Sequence, residues 1–147
     1  MPQAINNFSL PRIQTVRRKF PDYHVDGILF SNRSNIRYLS KFTGSDGLLI
    51  LGSDDGRLLV DGRYTAQAAA EVQGISVLHY QNKIQGIEQA VRELGLKKIG
   101  FEAACVTVEM YHDLTRAIKK VQWVGLGSEL RLLRAYKDSH EMAAMKK

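Results

Sequence analysis

Short apolar runs alternate with amphipathic stretches along most of this chain, and the alternation spells out a series of strands and helices. Residues 10–24 carry Ile13, Val16 and Phe20 at three- and four-residue steps, with Arg12, Arg17, Arg18 and Lys19 on the other face. That is the period of an amphipathic helix. Pro21 should end or kink it, since proline lacks an N–H donor and disfavours helix in the residue before it. The run GILF at 27–30 is bounded by turn-forming residues and fits a buried strand. A polar loop, SNRSN, follows at 31–35. Ser34 and Asn35 are expected to cap a short helix bearing Ile36, Tyr38 and Leu39.

The clearest local signal is LLILGSDDGRLLV at 48–60, two apolar runs around Asp55-Gly56. An Asp-Gly pair tolerates the positive φ angles of a type I′ turn, so a tight hairpin centred there is expected. Residues 65–72, TAQAAAEV, read as an alanine-rich helix capped by Thr65 and packed closely on the sheet. Ile75, Val77 and Leu78 mark a further strand. A helix over 84–94 stops at Gly95, a natural residue for the left-handed end of a helix. Then come a strand in KKIGFEA, a helix over 108–120 capped by Thr107, and a strand in VQWVGL at 121–126. Ser128 opens a helical segment through Arg134, and Asp138 with Glu141 forms a capping-box pair for another helix. Strands and helices alternating over short connections give a single α/β domain, a mixed sheet flanked by helices. The expected layout is one domain over 1–134 and, over 135–147, the start of a helix leading into a longer protein.

A length of 147 residues suffices for one well-cored domain. The apolar fraction of 44% and charged fraction of 24% are those of a soluble globular protein, which argues against disorder. No apolar run approaches the ~20 residues of a membrane span. The first residues, MPQAINNFSLPRIQ, lack a charged stretch followed by an apolar one, so a cytoplasmic location is expected. The single cysteine, Cys105, permits no internal disulfide and, among Ala103, Ala104, Val106 and Val108, reads as a small buried filler. The net charge of +6 raises a nucleic-acid reading. Its cations are spread over Arg12–Lys19, Lys119/Lys120 and the segment 131–147, on amphipathic stretches where a solvated face is the ordinary explanation. There is no arginine-rich run interleaved with aromatics.

Catalytic chemistry is scarce. His24, His79, His112 and His140 are scattered, with no HxH or HExxH spacing, and no GxSxG elbow occurs. The glycines of TGSDG at 43–47 lie between a helix and a strand, whereas a phosphate cradle opens a helix. Asp46, Asp61 and Glu71 could be imagined as a two-metal set on a ribonuclease-H-like sheet, but turn and cap chemistry explains them more economically. Arg63 offers a guanidinium fork for a carboxylate or a partner domain. An intradomain ion pair to Asp61 or Glu71 is the better expectation. Tyr38 is expected in the core, while Phe42, beside TGSDG, is the more open ring. Trp123 should pack in the core or an interface.

Several motifs in order resemble the N-terminal domain of the creatinase, prolidase and aminopeptidase P metallopeptidases. They are an arginine-bearing helix, VDGILF, Asn35-Ile36-Arg37-Tyr38-Leu39-Ser40-Lys41-Phe42, Gly44-Ser45-Asp46-Gly47, Asp61-Gly62-Arg63-Tyr64 with Gln67-Ala68, and RLLRAYKDSHEMAAMKK. The Gly-Ser-Asp-Gly and Asp-Gly-Arg-Tyr wording looks more like aminopeptidase P than creatinase. Lys41 stands where most members have glycine, so the backbone there need not adopt a positive φ.

The resemblance implies the fold of that family, a ribonuclease-H-like mixed sheet, and a non-catalytic role. In the family two divalent metal ions, often manganese, sit in a separate C-terminal catalytic domain and activate a hydroxide against the Xaa-Pro bond. No residue of this chain inherits a ligand or catalytic role. The implied partners are that catalytic domain, further copies in a dimer or larger assembly, and Xaa-Pro peptides, with no membrane. Phe42, Ser45, Asp46, Arg63 and Tyr64 would then form a pocket rim or an interface. The alternatives are a peptide- or protein-binding module of the same architecture and, behind it, a basic nucleic-acid-binding α/β domain.

Overall fold

A computed structural model describes residues 9–127 together with Leu130. The expected helices from Ser128 to Arg134 and from Asp138 onward, and His140, lie outside the described residues. The chain forms α1 (Ser9–Arg18), α2 (Phe20–Tyr23), β1 (Gly27–Phe30), α3 (Arg33–Ser40), β2 (Leu48–Gly52) and β3 (Gly56–Val60). A 3-10 turn at Gly62–Tyr64 leads into α4 (Thr65–Glu71), β4 (Ser76–His79), α5 (Lys83–Leu94), β5 (Lys98–Glu102), α6 (Val108–Ala117) and β6 (Gln122–Leu126).

The six strands make one mixed sheet in the order β4-β3-β2-β1-β5-β6. β2 pairs antiparallel with both β1 and β3, while β1–β5, β5–β6 and β3–β4 are parallel. Five strands therefore point one way and β2 the other. Loops leaving β1, β3, β4, β5 and β6, and the loop entering β2, all emerge at one end of the sheet.

Successive strand residues face opposite sides, which splits the core in two. Ile28, Phe30, Leu49, Leu51, Leu58 and Val60 pack with α1, α2, α3 and α4 on one face. Leu29, Leu48, Ile50, Leu59, Leu78 and Ile99 pack with α5 and α6 on the other. Both faces are covered, so the central strands read as unbroken apolar runs rather than alternating ones. Trp123 is half-buried against the second cluster and Tyr38 against the first. Among the described residues no helix is long and apolar enough to cross a membrane.

Several local expectations shift. The long first helix breaks at Lys19, and Pro21 sits in the first turn of α2, where its missing N–H costs nothing. The hairpin is present, but its turn is Ser53-Asp54. Gly52 pairs with Asp55 through its N–H to the Asp55 carbonyl (2.8 Å), and Gly56 is already in β3. Among the described residues, positive φ at non-glycine positions is confined to His24 and Lys41, and at glycines to Gly74 and Gly95, so no type I′ turn forms at Asp55-Gly56. Gly56 serves close approach instead, since a Cβ there would lie 2.9 Å from Leu51 Cδ2 and 3.1 Å from the Ile50 carbonyl oxygen. Asn32, not Ser34 or Asn35, caps α3, its Oδ1 accepting from the Asn35 N–H at 3.0 Å. Thr65 is the first residue of α4 and Tyr64 precedes it without a side-chain cap. Cys105 is exposed rather than a buried filler, because the turn after β5 carries it out of the sheet.

Candidate functional site

At the end of the sheet where the strand-exit loops gather, the segment 41–47 crosses from α3 to β2. Lys41 reverses the chain in the left-handed region, φ 69° and ψ 6°, donating its N–H to the Arg37 carbonyl at 2.8 Å. Glycine is therefore absent from a position that does use a positive φ, contrary to the sequence expectation. Phe42 then turns inward. At 1% exposure its ring is core, not an open edge. A Cβ on Gly44 would lie 2.2 Å from Phe42 Cζ, so Gly44 is what lets the loop lie across that ring.

Thr43 fastens the segment to α4. Its N–H and Oγ1 both donate to the Glu71 carboxylate, at 2.9 and 2.7 Å, and Gln67 Nε2 donates to Thr43 Oγ1 at 2.9 Å. These bonds, with the Thr43 hydroxyl foremost, hold the Glu71 carboxyl below its ordinary range. Glu71 is thus engaged by Thr43 rather than by Arg63.

The next loop, 61–64, supplies the polar face. Asp61 caps the 3-10 turn, accepting the Arg63 N–H at 2.9 Å, and its carboxylate also takes Arg63 Nη2 at 2.8 Å and Nε at 3.2 Å. The expected intradomain pair for Arg63 is therefore with Asp61. Each raises the charged form of the other: the Arg63 hydrogen bond lowers the Asp61 carboxyl, and Asp61 raises the Arg63 guanidinium. Asp46 Oδ2 lies 3.6 Å from the same Nη2, and its Oδ1 lies 3.5 Å from Lys83 Nζ at the start of α5. The Arg63 guanidinium also sits 5.2 Å from the Tyr64 ring centre. Tyr64 in turn meets the edge of Phe42 at 5.9 Å and shares a hydrogen bond with Ser45 Oγ.

Phe42, Ser45, Asp46, Arg63 and Tyr64 are thus brought together. Four face the surface and Phe42 supports them from below. Behind them the Tyr80 phenol is pushed up to about 12, mainly by burial and then by Asp46 and Asp61. A small hollow of about 60 Å³ lies between Ser31, Arg33, Phe42, Ser45 and Asp46. It has the size of a solvent molecule, not of a peptide. Among the described residues no group of three or more His, Cys, Asp or Glu side chains could hold a metal ion.

One important side chain escapes sequence reasoning. Glu102, 5% exposed at the end of β5, accepts the N–H groups of Ser31 and Asn32 at 2.6 and 2.8 Å and Asn35 Nδ2 at 2.7 Å. It ties the end of β5 to the start of α3. A lone carboxylate ending the apolar run KIGFE is the only signal, and its partners lie some 70 positions away.

The Creatinase/Prolidase N-terminal domain family model matches residues 12–136. The chain belongs to that family. This creatinase/prolidase N-terminal domain is 31% identical over 132 residues to the uncharacterized peptidase YqhT of Bacillus subtilis (strain 168), covering 89% of the chain and 37% of the relative. Its fold superposes with a TM-score of 0.85 on a Xaa-Pro dipeptidase from Bacillus anthracis, 27% identical, over 92% of the chain and 38% of that protein. It also matches the N-terminal domain of the cytoplasmic peptidase PepQ from Mycobacterium tuberculosis H37Rv, with a TM-score of 0.77 and 30% identity, over 84% of the chain and 98% of that structure. The domain spans little more than a third of the length of the first two relatives.

Proposed function

We propose that this domain is the non-catalytic N-terminal part of a proline-specific metallopeptidase, a Xaa-Pro aminopeptidase or dipeptidase, acting in the cytoplasm. In this reading residues 1–134 are the N-terminal domain and 135–147 lead toward the catalytic domain. The carrying observation is the cluster at the strand-exit end of the sheet. Ser45, Asp46, Arg63 and Tyr64 present a charged, hydrogen-bonded surface, while Glu71, Asp61 and Phe42 hold the two loops beneath it. Crevices at the carboxyl ends of parallel strands are where α/β sheets place ligands. A shallow rim of this kind completes a pocket whose other wall is the catalytic domain, and the same surface serves contacts in a homodimer or larger assembly.

In this arrangement the chain's own residues orient rather than react. Asp61 occupies one side of the Arg63 guanidinium and fixes its direction. The exposed part of the fork, together with Lys83, faces incoming negative charge. A pair of divalent ions, manganese or another, would supply the hydrolytic chemistry from the catalytic domain. Of the basic residues that suggested nucleic acid, Arg12 lies over the Tyr38 ring at 4.2 Å and Arg17 Nε donates to the Gly52 carbonyl at 2.7 Å, so these two are engaged within the fold.

The reading is tested in the parent peptidase by Arg63→Ala, assayed on Xaa-Pro peptides. Loss of a rim contact should raise KM about 3- to 10-fold with kcat within a factor of two, the size of one exposed charged contact. Unchanged KM, or a collapse of kcat alone, would overturn it.

A further inference from the structure

A cavity lies at the opposite end of the sheet from the rim. It is about 590 Å³, formed where α5 and α6 end and β5 and β6 begin. Its floor is apolar: Val91, Leu96, Ile118 and Val121 are each 6–9% exposed, showing the edge of the second core cluster. Around the mouth stand Arg92, Lys97, Lys119 and Lys120, against one carboxylate, Glu88. The side chains of the three lysines make no hydrogen bond or ion pair among the described residues, and Arg92 acts on Glu93 only through space.

Cations are favoured near helix C-termini because the last carbonyls carry partial negative charge. That accounts for positive charge at Arg92 and Lys119. It does not account for a hollow of ligand-site size under four cations, with an apolar floor left open to water. Apolar surface and excess positive charge are jointly satisfied by a molecule that carries an apolar body and an anionic head.

We propose that the cleft between the C-terminal ends of α5 and α6 is a binding site for a small organic anion with an apolar body, such as a medium-chain carboxylate. The apolar body lies on Val91, Leu96, Ile118 and Val121, and the head meets Lys119, Lys120 and Arg92. The site lies at the opposite end of the sheet from Arg63, so its occupant does not meet the rim. Nothing in the proposal depends on the peptidase reading.

The test is titration of the isotope-labelled 147-residue chain with decanoate below its micellar concentration, followed by amide NMR. Saturable shifts should appear at Gly95, Leu96, Ile118 and Val121, and acetate at equal concentration should produce none. The double variant Lys119→Gln/Lys120→Gln should weaken binding roughly tenfold, the effect of two exposed charge contacts. Ala117 is exposed at the cleft wall, so Ala117→Phe fills the space without disturbing the core and should abolish the shifts. Shifts scattered over the surface, equal affinity in the double variant, or no saturable response would overturn the proposal. So would a response to phosphatidylglycerol vesicles without one to decanoate, which would make the surface a lipid-headgroup contact.

Discussion

Lys41 carries a conformation that an L-residue with a side chain tolerates poorly. Its φ of 69° brings Cβ toward the following carbonyl, at a cost of about 1–2 kcal/mol relative to glycine. Glycine would lose more chain entropy on folding, about 0.5–1 kcal/mol. Lys41→Gly should therefore change stability by between about 0 and about +1.5 kcal/mol in urea unfolding, and a clear loss of stability would contradict this account of the loop. Gly44 is the opposite case. Gly44→Ala would bring a methyl to 2.2 Å from Cζ of the buried Phe42 ring, so the ring or the loop must shift. Overpacking of this kind costs about 1–3 kcal/mol. The same variant should lose the Phe42–Tyr64 edge contact, read as a change in the near-ultraviolet circular dichroism of Tyr64.

Glu71 shows how one carboxylate couples two elements, α4 and the loop over residues 41–47. Its folded carboxyl lies below the ordinary value of 4.5, so its contribution to stability is present in full above about pH 4.5. That contribution disappears as pH falls through the lower, folded value. Protection of the Thr43 amide against hydrogen exchange should accordingly weaken on acidification below pH 4.5, whereas Glu71→Gln should show little such pH dependence. Equal pH profiles in the two proteins would refute the latch.

Much at this scale is legible from sequence, because buried strands are apolar on both faces and Thr107 and Gly95 cap α6 and α5 by short-range bonds. What is lost is lost to long-range competition. Asn35 reads as a cap, but the fold turns its amide toward Glu102 and leaves capping to Asn32. The hairpin turn moves two residues upstream because Gly56 is needed where β3 passes Leu51 closely. Cys105 resembles a core residue by its neighbours, yet the turn after β5 places it in solvent.

For the whole molecule, the sheet direction decides what the chain can do. Five parallel-pointing strands bring the loops after β1, β3, β4, β5 and β6 to one end, and the motifs that suggested a rim converge there. The clustering of Asp46 with Arg63 and Lys83 was not readable from spacing, since Lys83 enters from α5. The charges at that end are held by each other, which suits a surface that positions a ligand and does not itself attack one. The most direct measurement is hydrolysis of Ala-Pro and Ala-Pro-Ala by the purified 147-residue chain with manganese supplied. The account predicts no turnover above the metal-only control. Turnover that scales with the protein and stops on chelation would contradict it.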